Sequence, residues 1–222
     1  MKRTLLTLSL LCTILFSCSK KNENNPSASL ELNGRSYPTV KIGSQTWTTM
    51  NYDGPGGIAS PRNDEYDYGK YYSEKEMLAI KLPDGWRVPS KEDFVKLMKS
   101  QGELTIDVPE VTATDADGAK VLKAASSWYL PGDNSSGFNI LPGGYYQSFS
   151  KEFLEYKGMA YFWTTTSGPA LSIDPNYYYC FRVSGRYSSP GTGSEPETGA
   201  EVRDMTTGDN VIWYNIRFVK DN

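Results

Sequence analysis

Three cysteines and no histidine set the chemistry open to this 222-residue chain. Losing histidine removes the commonest general base, the usual Ser-His and Cys-His nucleophile pairs and the commonest metal ligand. Cys18 is the cysteine with a chemistry of its own. It follows Leu15-Phe16-Ser17, with an aliphatic residue at −3 and a small one at −1. That is the order of a lipobox, whose cysteine sulfur takes a diacylglyceryl group. Lys2 and Arg3 lead into an apolar run, residues 4–16, broken only by hydroxyl residues and Cys12. The run has the length of a signal-peptide core and falls short of the ~20 apolar residues of a spanning helix. The chain then turns polar at once, in Ser19-Lys20-Lys21-Asn22. The expectation is a lipoprotein: residues 1–17 a signal peptide, Cys18 the lipid anchor in a membrane, residues 18–29 a flexible tether. Residues 30–222 would form a single domain in the cell envelope, at the outer membrane, facing the periplasm or the cell surface.

The other candidate groups are weaker. With Cys12 cleaved away and Cys18 acylated, Cys180 has no second thiol for an internal disulfide. It sits between Tyr179 and Phe181, company that suits a buried, inert thiol. Asp115-Ala116-Asp117-Gly118 opens like a calcium loop, but the twelfth position of such a loop is Ser126 instead of Glu. Glu195-Pro196-Glu197 has the proline of a lectin-type calcium cluster and lacks its amide. No metal and no cofactor are expected, and no catalytic residue. Nothing in the sequence sets two carboxylates side by side, so a carboxylate hydrolase is the lesser alternative.

Aromatic residues are the remaining resource: 16 Tyr, 8 Phe and 5 Trp. Flat rings with a polar edge suit sugar stacking or protein contact, and equally suit a β-rich core. Trp128 adjoins a loop at residues 131–137, and Tyr145 and Tyr146 follow Gly143-Gly144, where the backbone can bend sharply. These three are the candidate ligand contacts. A formal net charge of −3, with no long basic run, leaves no footprint for nucleic acid.

The elements that must position them can be read from caps, turns and periodicity. Leu30-Glu31-Leu32, Asn33-Gly34 and residues 35–42 read as a hairpin with a type I′ turn. Gly43-Ser44 turns into a strand at residues 46–50, and the glycine- and proline-rich residues 53–67 read as a loop. Ser73-Glu74-Lys75-Glu76 is a capping box opening a helix to Lys81, and Ser90-Lys91-Glu92-Asp93 opens a second, ended by Gly102. In the second, Phe94, Leu97 and Met98 fall on one face and should meet the core. A third helical stretch covers residues 116–125, with Val121, Leu122 and Ala125 inward. Residues 137–141, 159–165, 177–184 and 211–220 read as strands. In the last, Ile212, Tyr214, Ile216 and Phe218 alternate with polar neighbours, which predicts one buried face. Residues 188–199 read as an exposed loop, and Trp86 as a core residue. The fold class is α+β: a loop-rich domain with a mixed, mostly antiparallel sheet and two or three short helices.

Six segments in order resemble the Fibrobacter succinogenes major paralogous domain, a family common in Bacteroidetes lipoproteins. They are VKIGSQTWTTMNY from Val40, YDYGKYYS from Tyr66, LPDGWRVPSKEDF from Leu82, SSGFNILPGGYY from Ser135, AYFWTTT from Ala160 and NIRFVKDN from Asn215. The family commonly has cysteine where this chain has Leu82 and Phe218. The Gly85–Ser90 segment and the Ile-Arg-Phe-Val strand are also similar to formylglycine-generating-enzyme and C-type-lectin-like folds. That likeness implies a C-type-lectin-like arrangement and transfers no activity. The enzyme's chemistry would need two closely spaced cysteines. The functional expectation is therefore a membrane-anchored envelope lipoprotein whose domain binds glycan or protein without catalysis. The alternatives are a structural part of a surface assembly or pilus, and the hydrolase.

Overall fold

Asn33 and Gly34 take φ of 53° and 77°, and close β1 (Ser29–Leu32) onto β2 (Arg35–Ile42) in register Leu32↔Arg35. This is the positive-φ pair a type I′ hairpin requires. Gly43 then turns β2 into β3 (Gln45–Thr48). The computed structural model describes residues 28–63, 65–101, 105–106, 111–113, 116–168, 177–187, 196–206 and 212–222. The signal peptide, Cys18, most of the tether and Asp115 lie outside the described residues.

Both capping boxes form. Ser73 caps α1 (Glu74–Leu78) while Glu76 reaches back to the Ser73 N–H at 2.9 Å, and Ser90 and Asp93 do the same for α2 (Lys91–Lys99). Helix α1 stops short of Lys81 because Met77 is its only buried residue, too little to hold further turns. In α2, Phe94, Leu97 and Met98 are 0%, 1% and 3% exposed, as their spacing requires. The third helix, α3 (Ala116–Leu122), also ends early. Lys123 pairs with Ile140 and the Ala124 N–H donates to the Ile140 carbonyl at 2.9 Å. That cross-link turns Ala124 inward and leaves Ala125, the expected core residue, exposed.

The strands form four sheets. The N-terminal hairpin and β3 are extended by β14 (Val219–Asp221), giving the order β1-β2-β3-β14. A two-stranded piece joins β4 (Ile58–Ala59) to β5 (Lys70–Tyr71). The largest sheet uses β6 (Thr105–Ile106), β7 (Val111–Ala113), β10 (Met159–Ser167), β11 (Tyr177–Tyr187) and β12 (Pro196–Thr206), in the order β10-β11-β12-β7-β6. The last sheet sets β8 (Tyr145–Gln147) between β9 (Glu152–Leu154) and β13 (Ile212–Trp213). Among the described residues every paired strand is antiparallel, and parallel contacts occur only as single bridges such as Phe162↔Asn215. The result is a sheet-rich α+β domain with three short helices among the described residues.

The β10–β11 pair divides the core. Ala160, Phe162, Tyr179, Phe181 and Val183 face one cluster with Trp47, Phe94 and Phe138. Met159, Tyr161, Trp163 and Cys180 face another with Tyr37, Tyr72, Tyr214 and Phe218. This is the period-two alternation of strands buried on both faces.

Four sequence expectations are corrected. Residues 137–141 do not form a strand, since Gly137 and Asn139 take φ of 74° and 59° and break the extended run. Residues 196–199, expected in a loop, begin β12, because β11 continues to Tyr187 and supplies a ladder down to Pro196. Trp86 is only half-buried, with the Lys220 ammonium 5.1 Å from its ring centroid. Finally, residues 211–220 are not one strand with a wet face. They break into β13, two bridges and β14, and Asn215 and Arg217 are as buried as Tyr214, Ile216 and Phe218.

Candidate functional site

The three aromatic candidates are not brought together. Trp128 is 6% exposed, its indole N–H donates to the Ile140 carbonyl at 2.8 Å, and it packs in the Phe94 cluster. Tyr146 is 8% exposed, with its ring between Phe153 and Trp213 at 5.0 and 5.5 Å. Tyr145 is half-buried, edge-on to Tyr161 in the other cluster. Burial corrects the expectation for Trp128 and Tyr146, whose rings are spent on packing.

A different constellation converges on an open pocket of about 500 Å³. Thr49 and Met50 follow β3, Tyr66 and Asp67 come from the loop before β5, and Ala124, Ala125 and Ser126 from the turn after α3. Asn134, Asn139 and Leu141 come from the loop after that, and Arg217 from the closing segment. The volume lies in the ~300–1,000 Å³ range of ordinary ligand sites.

Arg217 is the anchor of this arrangement. It is 1% exposed and lies between the Phe138 and Phe162 rings, 5.1 and 5.7 Å from their centroids. Its Nε donates to Asn51 Oδ1 at 2.6 Å, and its Nη1 to the Thr48 and Phe138 carbonyls at 2.9 and 3.0 Å. Its Nη2 donates to the Asn139 carbonyl at 3.1 Å. Burial pulls its pKa down to about 9, against a small opposing pull from the Asp67 carboxylate. The loop above it is fixed locally. Asn134 Oδ1 accepts from the Asn139 N–H at 2.8 Å, and both asparagines take left-handed φ, which their short amides tolerate. Gly132 is obligatory, since a Cβ there would sit 2.3 Å from the Lys120 carbonyl oxygen.

The lining residue Asp67 is held by Arg35, which bridges it to Asp53, while the Tyr37 hydroxyl donates to Asp53 Oδ1 at 2.6 Å. Structure thus places two carboxylates together, with a guanidinium between them. Tyr66 lines the pocket and is 36% exposed, its ring edge-on to Tyr68 at 5.9 Å. A ligand in this pocket meets carboxamides, a carboxylate, hydroxyls and a guanidinium beside the apolar Met50, Leu141, Ala124 and Ala125. Sequence reasoning missed Asp67, Asn134, Asn139 and Arg217. The one available signal was Arg217 itself, a cation set between Ile216 and Phe218 in a closing segment otherwise read as half-buried.

A smaller pocket of about 340 Å³ lies by Asn33, Tyr52 and Glu76. Three of its polar side chains are already engaged: Asn33 Nδ2 with the Tyr52 hydroxyl at 2.9 Å, and Glu76 with the Gly57 and Ser73 N–H groups.

The family model described as the Fibrobacter succinogenes major domain matches residues 40–220. The chain belongs to that family. No curated protein and no solved structure matches it. The matched span holds every residue lining the larger pocket, so that pocket is part of the family domain and not of an appended segment. Among the described residues, no helix is long and apolar enough to cross a membrane.

Proposed function

We propose that this is the folded domain of an envelope lipoprotein anchored through Cys18, and that it is a non-catalytic module binding glycan in the Arg217 pocket. The observation that carries the reading is the lining: carboxamide, carboxylate and hydroxyl groups share one cavity with apolar side chains and with the partly exposed Tyr66 ring. Sugar rings present hydroxyls at their edges and apolar C–H faces, so they need both kinds of wall and gain from an aromatic ring. The lipobox and the polar tether support display of the domain from a membrane. The C-type-lectin-like arrangement is part of the same proposal, with the site on loops carried by the sheets.

A glycan array followed by titration calorimetry tests it. Tyr66→Ala and Asn139→Gly should each weaken the best array ligand about tenfold or more, with melting temperatures near the parent's, since glycine accepts the left-handed φ at position 139. Absence of any array ligand, or undiminished binding by both variants, removes the proposal. A second reading, protein contact in a surface assembly, is favoured by Phe149, 88% exposed in the turn between β8 and β9, and by the exposed Tyr129 and Leu78.

A further inference from the structure

We propose that the glycan carries a carboxylate, as a uronic acid does, and that Arg217 is the group that pairs with it. The inference rests on the glycan reading above. Arg217 is fully buried, yet each partner named for its guanidinium is neutral: the Asn51 amide and the carbonyls of Thr48, Phe138 and Asn139. A guanidinium has five N–H donors, and these bonds use four of them. The remaining hydrogen is on Nη2, the nitrogen held by Asn139, and both residues line the pocket. Asp67 acts on this buried cation only through space and no carboxylate hydrogen-bonds to it, so an arriving carboxylate would add the charge-assisted hydrogen bond it lacks. Burial has already weakened the hold of Arg217 on its own proton.

The competing internal anion is committed elsewhere. Among the described residues, Asp67 and Arg217 are the only charged ones lining the pocket, and Asp67 is paired with Arg35. Arg35 is shared with Asp53, so this wall keeps a single net negative charge and would repel a ligand carboxylate seated beside it. An acidic sugar therefore enters with its carboxylate on the Arg217 side and its hydroxyls toward Asp67.

The test uses the mature chain in detergent, titrated with galacturonate, glucuronate, mannuronate and guluronate oligosaccharides and with the methyl ester of each. The ester keeps the shape and removes the charge. At least one acid should bind about tenfold or more tighter than its ester, the scale of a hydrogen bond to a charged group. Two variants carry opposite signs. Asp67→Asn relieves the repulsion and should tighten the acid; Asn139→Asp places a carboxylate beside Arg217 and should abolish the preference. Aspartate tolerates the left-handed φ at position 139, so that variant keeps the loop. Equal binding of acid and ester, or equal weakening of both by Asp67→Asn, overturns the inference and leaves a neutral-glycan pocket. Failure of the uronates alongside a neutral ligand on the array has the same meaning. With no glycan bound at all, the functional reading falls and this inference with it.

Discussion

The ammonium of Lys123 donates to the Leu130 carbonyl at 2.9 Å and the Ser184 carbonyl at 3.5 Å, and lies 5.4 Å from the centroid of the Trp128 ring. The residue is 1% exposed, and burial lowers its pKa from 10.5 to about 8. The sign of the stability effect follows. Below about pH 8 both folded and unfolded chains hold the proton, and the cost of burying the charge is fully present. Between about 8 and 10.5 only the unfolded chain keeps it, so this residue's contribution to stability rises with pH across that window. Lys123→Met should lack the rise. The stability difference between variant and parent should change by on the order of 3 kcal/mol from pH 7 to pH 10.5 in urea unfolding. A constant difference would show that Lys123 is protonated throughout. Lys123 sits one residue beyond α3, where the sequence offers only a helix-end lysine; its burial comes from Gly185, close enough that a Cβ there would lie 2.9 Å from the Lys123 ammonium.

Helix α2 shows how a local signal gains a distant partner. The Ser90–Asp93 capping box is legible because it needs four consecutive residues. Asp93 also accepts from Arg87 through Nε and Nη2 at 3.1 and 2.7 Å, and from Gln45 Nε2 at 2.7 Å. Arg87 and Gln45 in turn reach Asp221. One carboxylate thereby ties the helix cap to the Gly85-Trp86-Arg87 turn, to β3 and to β14. Burial alone would raise the Asp93 pKa, but the Arg87 and Ser90 hydrogen bonds, the Arg87 charge and Gln45 outweigh it and hold the carboxyl below its usual range. Its stabilising contribution is present above the ordinary carboxylate range and is lost as pH falls through the folded pKa. Asp93→Asn should cost ~2–3 kcal/mol, the scale of losing hydrogen bonds to a charged group, because Arg87 is 36% exposed and keeps Asp221. Ser90→Ala, which removes only the cap, should cost ~1 kcal/mol. Equal losses by chemical denaturation would mean the cap is all that Asp93 provides.

Across the described residues, ring packing ties the β10–β11 ladder to the elements on either side of it. Phe94 stacks on Phe181 at 4.3 Å, and Tyr161 on Tyr214 at 5.4 Å, one pair on each side of the β10–β11 ladder. Cys180 is fully buried within the second cluster, as its neighbours in the sequence implied. The proposed membrane attachment belongs to this scale, and among the described residues no helix is long and apolar enough to cross a membrane. Cys18→Ala should release the protein from the membrane fraction and abolish incorporation of a palmitate analogue. A variant that still incorporates label would show that lipid is attached elsewhere.

The sequence by itself determined what depends on near neighbours: the Asn33-Gly34 turn, both capping boxes, the buried face of α2 and the β10 run. Six ordered segments also sufficed to indicate the family. Tertiary structure alone decided which aromatic rings are spent on packing, since Trp128 and Tyr146 become buried through contacts with Ile140, Phe153 and Trp213. It alone assembled the pocket, because Thr49, Asp67, Ser126, Asn139 and Arg217 come from five stretches of chain. Alternation in residues 212–218 could show that the apolar positions face inward. It could not show that the polar ones do too, because Arg217 is solvated by carbonyls from residues 48, 138 and 139, which no local pattern encodes.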